Sequence, residues 1–377
     1  MHILISPNAF KNSLNAEDAA NAISEGLMQS NLQCTFELFP IGDGGDGTAD
    51  LIIKKRKGTL VTTAIHDPSG RSVNATFGLI DSGKTAMIEM ANASGLRLLR
   101  SAQLNPLQAT SFGTGEQIRI ALDKGVKKII IGMGGSATVD GGTGILQALG
   151  IRFLNQQEES LSNLPESLVN LSTIDVSGLD KRIFNCEIVI ICDVDNALLG
   201  AEGAASIFGP QKGASPEEVI KLESSLKRFS EVTLQQTGRD ISIVKYGGTA
   251  GGAAAGLYAF LKAKLVNGID YFLQLTNFDK ELERADLVIT GEGSIDKQTL
   301  KGKGPFGVAE RAKLKGVPVI ALAGKVPLIE DADLHEYFDV LLSIGDGSFD
   351  VNSALAATSE NLTRTSREIG NLLTLLK

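Results

Sequence analysis

The sequence contains no tryptophan, and it has only three histidines and three cysteines among its 377 residues. The histidines are far apart along the chain, which gives little support to a His-rich zinc site or a Ser-His-Asp triad. Cys34, Cys186 and Cys192 form an odd number without close spacing, which indicates reduced, mostly buried thiols. Acid–base or metal chemistry is therefore expected from aspartate, glutamate and lysine.

Long apolar runs are also missing from the chain. No run approaches the ~20 residues of a membrane span, and the first residues, MHILIS, lack the basic and long apolar regions of a signal peptide. The net charge of −8 argues against nucleic acid or an anionic membrane as a partner. These features predict a cytoplasmic protein, and they leave a homo-oligomer open.

The length of the chain suits two domains. Short strand–helix units occur near both ends, which is typical of a parallel sheet, whereas the middle contains a predicted hairpin. The pattern predicts an α/β protein in which residues 1–66 and 285–377 form one discontinuous, Rossmann-like or flavodoxin-like domain. Residues 67–284 would form a second, mixed α/β domain that is inserted into the first and carries the glycine-rich turns.

The most distinctive stretch is residues 129–144, IIIGMGGSATVDGGTG. It predicts a buried strand, a glycine turn and a short helix, a context in which backbone N–H groups and a helix N-terminus can hold an anion. The spacing fits neither a GxGxxG fingerprint nor a Walker A motif, and a tight connection that needs glycine for steric reasons is the alternative. The candidate phosphate-binding residues are Gly134, Gly135, Ser136, Thr138 and Gly141.

A formal Walker A match occurs elsewhere, at residues 78–85, GLIDSGKT. It lacks a strand that stops at its first glycine, and no helix pattern follows Lys84. A β-hairpin that turns at Ser82 and Gly83 fits this segment better, so we do not interpret it as a nucleotide site.

Paired carboxylates follow three predicted strands. Acidic side chains at the carboxyl ends of buried strands suit Mg²⁺, which binds one or two carboxylates together with substrate phosphates and water. Each aspartate could instead cap its own loop through bonds to the backbone. The pairs are Asp43 with Asp46, Asp193 with Asp195, and Glu292 with Asp296.

Taken together and in order, these motifs resemble the bacterial class I glycerate kinases. The resemblance covers most of the chain up to about residue 310, and its specificity comes from the ordered set because each motif alone is weak. The matching stretches are residues 7–14 (PNAFKNSL), 42–48 (GDGGDGT), 88–96 (IEMANASGL), 113–116 (GTGE), 134–142 (GGSATVDGG), 192–196 (CDVDN), 211–214 (QKGA) and 291–296 (GEGSID).

The resemblance implies Mg²⁺-dependent phosphorylation of D-glycerate by ATP, in a cleft between two α/β domains, as a step of organic acid catabolism. Only the resemblance favours the 2-hydroxyl over the 3-hydroxyl. Two departures from the family pattern stand out: residues 8–13 read NAFKNS where the family usually has DSFKGS, so that Asn8 replaces Asp, and Asp46 stands where the family usually has Glu. The first departure removes a carboxylate, so position 8 is not interpreted as the catalytic base.

Phosphoryl transfer needs in-line positioning, charge neutralisation and acceptance of the hydroxyl proton. The glycine turn would bind the ATP phosphates, and Lys11 would place a cation on the transferring phosphoryl group or the glycerate carboxylate. Asp193 is the first candidate for the base, with Asp43 close behind and Asp296 left open. The candidate metal ligands are Asp193, Asp195 and Glu292, and the candidate substrate-binding residues are Phe10, Lys11, Ser13 and Asp296.

Two other functions remain open at this point. The strand–glycine turn–helix units could belong to a dinucleotide-dependent hydroxy-acid oxidoreductase, although the first strand is not followed by GxGxxG. A non-catalytic sugar-acid binding protein is the other alternative, and the several acidic loops argue against it because clustered carboxylates repel an anionic ligand.

Overall fold

We analysed a computed structural model that describes residues 1–329, 331–345 and 350–375. The chain forms two compact units. The terminal unit consists of Met1–Asp43 and Asn267–Lys377, and the central unit consists of Gly44–Val266. Within the described ranges, none of the helices combines the length and apolar character needed to cross a membrane.

The strands alternate with helices along most of the chain. The strands are β1 (His2–Pro7), β2 (Thr35–Leu38), β3 (Thr59–His66), β4 (Ser72–Ile80), β5 (Thr85–Glu89), β6 (Lys128–Gly132), β7 (Arg152–Leu154), β8 (Thr173–Asp175), β9 (Glu187–Cys192), β10 (Lys264–Asn267), β11 (Leu287–Ser294), β12 (Val319–Lys325) and β13 (Val340–Ser343). The helices are α1 (Ala16–Met28), α2 (Thr48–Lys55), α3 (Met90–Ser94), α4 (Phe112–Asp123), α5 (Thr143–Ala148), α6 (Ala204–Phe208), α7 (Pro216–Thr237), α8 (Ala253–Leu261), α9 (Gly268–Leu275), α10 (Phe278–Leu282), α11 (Gly304–Lys315), α12 (Ala332–His335), α13 (Val351–Ala356) and α14 (Thr358–Leu375).

The sheet of the terminal unit is parallel and has the strand order β13-β12-β11-β1-β2. Its central strands are apolar on both faces, as expected where helices cover a parallel sheet. Helices α1 and α14 pack so closely that a Cβ at Gly26 would lie only 2.2 Å from the Thr363 carbonyl oxygen. The loops after β1, β2 and β11 leave the carboxyl edge of this sheet, where ligands of parallel sheets bind.

The sheet of the central unit is mixed, with the order β10-β9-β6-β5-β4-β3. Strands β5, β6 and β9 are parallel, whereas β3, β4 and β5 form an antiparallel meander. Buried isoleucines of β6 and β9 pack against helices α4, α5, α7 and α8 in one large core. The predicted α/β fold, with a parallel sheet and a mixed sheet, is confirmed.

The compact units change at residues 43/44 and 266/267, whereas the predicted domain boundaries are at 66/67 and 284/285. Strand β3 explains the first difference, because all eight of its residues pair with β4 and so join the central sheet. Helices α9 and α10 follow the second change point and belong to the terminal unit. The predicted arrangement of a unit built from both ends around an inserted one agrees with this division, and the domain assignment itself stays a prediction.

The formal Walker A match forms the predicted hairpin. Asp81 and Ser82 adopt left-handed backbone angles (φ 54° and 57°), and Gly83 follows with φ 80°. Strand β5 then begins at Thr85 and pairs antiparallel with β4. Because a strand and not a helix follows Lys84, this segment has no helix N-terminus for a phosphate.

Candidate functional site

In the terminal unit, Asp43 lies in the loop after β2 and is held by two donors. The Asn8 side-chain amide donates to Asp43 Oδ2 at 2.8 Å, and the Gly304 backbone N–H donates to the same oxygen at 3.4 Å. Asn8, which stands where the related family usually has aspartate, therefore serves as a neutral partner that fixes this carboxylate.

Glu292, near the end of β11, is the buried acid of the terminal unit. Its side chain is 8% exposed, and Thr299 Oγ1 donates to Glu292 Oε1 at 3.0 Å. Burial raises the pKa of Glu292 to about 7; Lys303 opposes this shift, and the charges of Asp43 and Asp296 add to it. A bound cation would stabilise the ionised form of this carboxyl group, which burial and the neighbouring negative charges disfavour.

Asp296 forms hydrogen bonds within its own turn. Its Oδ1 accepts the Gln298 backbone N–H at 2.8 Å, and its own N–H donates to Thr299 Oγ1 at 3.2 Å. This is the capping arrangement that was the alternative interpretation for the paired acids. Its role as a base or a substrate ligand stays a prediction.

The loop after β1 gives its three candidate residues different environments. Phe10 is 2% exposed and packs in the hydrophobic core of the terminal unit, and its role in substrate binding stays a prediction. Ser13 Oγ donates to the Leu355 carbonyl oxygen at 2.6 Å. Lys11 is exposed, and its backbone approaches Gly293, where a Cβ would lie 3.5 Å from Lys11 N. Of the three, Lys11 alone presents a charged group to solvent.

In the central unit, residues 134–142 form what we term the glycine loop. Gly134 N–H donates to the Gly44 carbonyl oxygen, and Gly141 N–H donates to the Gly251 carbonyl oxygen, both at 3.0 Å. A side chain at Gly134 would lie 2.4 Å from Gly45 Cα. These two glycines therefore permit close backbone packing, and their N–H groups bond to protein carbonyls.

The anion at the start of α5 is a protein side chain. Asp140 is fully buried, and its carboxylate accepts the N–H groups of Gly142 at 3.0 Å and Gly144 at 3.2 Å. Ser111 donates to the same carboxylate through its N–H and its hydroxyl, at 2.9 and 2.6 Å. Asp140 therefore satisfies N–H groups at this helix N-terminus from within the chain, and phosphate binding by Gly134, Gly135, Ser136, Thr138 and Gly141 stays a prediction.

Lys212 reaches the glycine loop from inside the central unit. Its side chain is 3% exposed, and Nζ donates to Ser136 Oγ at 2.9 Å and to the Thr138 carbonyl oxygen at 2.7 Å. Burial lowers the pKa of Lys212 to about 7, and the charges of Asp140 and Asp193 oppose this shift. Lys212 is not among the site residues predicted from the sequence. The signal available in the sequence was a lysine between Gly209 and Gly213, within the matching QKGA stretch.

The loop after β9 carries the other two predicted metal ligands. Asp193 is half-buried and acts electrostatically on Lys212, whereas Asp195 is exposed. The Gly248 N–H donates to the Asn196 carbonyl oxygen at 2.8 Å, so the glycine-rich turn at residues 247–252 (GGTAGG) supports this loop. The charge of Asp193 therefore acts on Lys212, the lysine that contacts the glycine loop.

The predicted metal ligands are divided between the units, with Asp193 and Asp195 in the central unit and Glu292 in the terminal unit. Among the described residues, no three or more His, Cys, Asp or Glu side chains are grouped closely enough to hold a metal ion. The oxygen donors themselves fit Mg²⁺, and the buried, like-charged surroundings of Glu292 favour a cation there. The ligand set stays a prediction.

A second buried acid lies in the central unit at the end of β5. Glu89 is 2% exposed and accepts the N–H groups of Gly47 at 2.6 Å and Ala49 at 3.0 Å, at the start of α2. Burial, followed by a hydrogen bond with the Asp46 carboxyl, raises its pKa well above the ordinary range. Asp46 Oδ1 also accepts from Arg97 at 3.0 Å. Sequence reasoning did not single out Glu89, although it lies in a matching stretch.

Comparison with known proteins decides the family. A profile described as "Glycerate kinase family" matches residues 3–374. The chain belongs to the glycerate kinase family. It is 41% identical over 377 residues to "Glycerate kinase" of Bacillus subtilis strain 168, covering 100% of this chain and 99% of the relative. It is also 41% identical over 377 residues to "Glycerate 2-kinase" of Escherichia coli K12, covering 99% of this chain and 98% of that protein.

A solved structure agrees with this assignment. The crystal structure of a glycerate kinase 2 candidate from Salmonella typhimurium LT2 superposes with a TM-score of 0.83 at 42% identity, covering 100% of this chain and 98% of that one. The predicted membership of the glycerate kinases and the prediction of an ATP-dependent kinase are confirmed. The oxidoreductase and the non-catalytic binding protein are no longer needed as explanations.

Proposed function

We propose that this chain transfers the γ-phosphoryl group of ATP to a hydroxyl group of D-glycerate, with 2-phosphoglycerate favoured over 3-phosphoglycerate. The similarity to glycerate kinases along the whole chain carries this proposal. The name of the E. coli relative, glycerate 2-kinase, favours the 2-hydroxyl. Because the substrate ATP is a cytoplasmic metabolite, we also propose a cytoplasmic location.

Carboxylates are proposed to hold Mg²⁺, with Asp193, Asp195 and Glu292 as the candidates. When bound, the metal would neutralise the charge that develops on the transferring phosphoryl group. Support for Glu292 comes from its burial and from the like charges of Asp43 and Asp296, which together disfavour its ionised form without a cation.

The proton of the attacking hydroxyl is proposed to pass to Asp193, with Asp43 as the second candidate. Asp193 is one of the two carboxylates whose charge acts on Lys212, and Lys212 contacts the glycine loop. Asp43 is held in one position by Asn8 and by the Gly304 N–H, which suits an acceptor that must be placed accurately. Lys11, exposed on the loop after β1, is proposed to bind the glycerate carboxylate or the transferring phosphoryl group.

A coupled assay tests the proposed function directly. Purified protein should release ADP when D-glycerate and ATP are both present, and the release should disappear when Mg²⁺ is removed by a chelator. Phosphorus NMR of the product should show 2-phosphoglycerate. A nicotinamide absorbance change with a hydroxy acid and no ATP requirement would contradict the proposal, and a product phosphorylated at the 3-position would correct only its regiochemistry.

A further inference from the structure

The buried amine of Lys212 has no role in the function proposed so far. It contacts the glycine loop at two places, Ser136 Oγ and the Thr138 carbonyl oxygen. Other contacts already hold this segment: Ala137 N–H donates to the Ser94 carbonyl oxygen at 2.8 Å, and Leu96 N–H donates to that of Gly135 at 2.9 Å. Lys212 is therefore not the sole support of the loop, and its charge needs a separate explanation.

Burying an ammonium group is costly unless other charges compensate it. An apolar side chain of similar volume would often be as stable in such a place. At Lys212 the carboxylates of Asp140 and Asp193 compensate only in part, because burial still lowers its pKa to about 7. A buried cation in this state is stabilised when an anion binds nearby.

A second observation at the same loop indicates a missing partner. Thr138 is fully buried, and among the described residues its hydroxyl has no hydrogen-bond partner. A buried hydroxyl without a partner costs about 1–3 kcal/mol, so such groups are rare and call for a specific explanation. The unpaired hydroxyl belongs to the residue whose carbonyl oxygen accepts from Lys212.

We propose that Lys212 is a positioning residue for the nucleotide: it holds residues 136–138 in place and supplies the positive charge under which an ATP phosphate binds the glycine loop. Phosphates are attracted by a buried amine more strongly than by a surface lysine, because less water screens the charge. This inference rests on the proposed function for the identity of the phosphate donor. The binding step can nevertheless be measured without glycerate.

The experiment compares the wild type with Lys212→Met, Lys212→Arg and Lys227→Met. Lys227 is an exposed lysine of α7 in the same unit and serves as the matched control. The dissociation constant of ADP is measured by calorimetry, and KM is determined separately for ATP and D-glycerate. Loss of a charge-assisted contact should weaken ADP binding in Lys212→Met by roughly ten- to hundredfold. The KM for D-glycerate should stay within about twofold, and Lys212→Arg should recover part of the ADP affinity because it keeps the charge.

Lys212→Met could fail to fold, and circular dichroism and thermal unfolding check this. Ser136→Ala then provides a milder variant, because it removes one of the two hydrogen bonds of Lys212 and leaves its charge in place. It should weaken ADP binding only a few-fold. A folded Lys212→Met that binds ADP as the wild type does would overturn the inference. So would an equal rise in KM for both substrates, because that indicates a general disturbance of the fold.

The outcome is separable from that of the proposed function. If the wild type binds ADP but does not phosphorylate D-glycerate, the proposed substrate is wrong, and the Lys212 variants still decide the inference through ADP affinity.

Discussion

The two units bury charges of opposite sign. The acidic region of the terminal unit contains Asp43, Glu292 and Asp296, and the lysine-centred region of the central unit contains Lys212 with Asp140 and Asp193. In the first, burial raises the pKa of the Glu292 carboxyl to about 7. In the second, burial lowers the pKa of the Lys212 ammonium to about 7. Burial penalises the charged form in both cases, so each region gains from a ligand of opposite charge. A cation suits the carboxylates and a phosphate suits the lysine, which are the two charge types of a metal–nucleotide substrate.

The largest expected effect concerns Asp193, a carboxylate in the lysine-centred region. If it is the general base, Asp193→Asn should lower kcat by at least ~10²-fold, because asparagine cannot accept the hydroxyl proton. Steady-state kinetics with purified, folded protein provides the measurement, and Asp50→Asn, at an exposed position of the same unit, is the control. A near-normal kcat would remove Asp193 from that role and move the search to Asp43 in the acidic region.

Glu292→Gln tests whether the acidic region binds a cation. Loss of the carboxylate charge should raise the Mg²⁺ concentration needed for half-maximal activity by about tenfold or more, because metal ions prefer ionised oxygen donors. Activity is measured across a Mg²⁺ titration, with Glu360→Gln on the exposed surface of α14 as the control. An unchanged Mg²⁺ requirement would contradict the assignment of Glu292 as a ligand.

Glu89 is a buried carboxyl for which no ligand is proposed, so its pKa tests the effects of burial and of a neighbouring like charge alone. Its pKa lies above the ordinary value of 4.5 because of burial and of Asp46. Above pH 4.5 the unfolded chain releases this proton while the folded chain keeps it, so the folded state loses stability as the pH rises. Asp46→Asn removes the like charge and should reduce this loss by on the order of 1 kcal/mol.

Urea unfolding between pH 5 and pH 8.5, compared for the wild type, Asp46→Asn and the exposed control Asp50→Asn, measures that dependence. An equally steep loss of stability in Asp46→Asn would show that burial alone holds the Glu89 proton.

The smallest expected effect concerns the unpaired hydroxyl of Thr138. Thr138→Val keeps the shape of the side chain and removes a buried polar group without a partner, so the free energy of unfolding should stay equal or rise by about 1 kcal/mol. If that hydroxyl contacts the nucleotide, KM for ATP should rise a few-fold. Unfolding and kinetics on the same preparation check both statements, and a clear loss of stability would mean that the hydroxyl has a partner in solution.

Local chemistry made much of the fold predictable. Asn15 caps α1 as its side chain and position indicate, and residues 78–85 form a hairpin because left-handed turn residues follow an alternating strand. The glycine loop was also located correctly as the turn between β6 and α5. The partners of its N–H groups were not predictable, because Asp140 folds back on its own loop while Gly44 and Gly251 come from distant parts of the chain.

The sequence by itself determined the α/β character of the chain and its family, because these depend on short-range patterns and on ordered motifs. Only the tertiary structure decided that the Lys212 amine contacts the glycine loop, that Phe10 is a core residue, and that Glu89 caps α2. The physical reason is burial: it shifts a pKa and decides which polar groups remain unpaired. Burial depends on residues that are far apart in the chain and that no local pattern brings together.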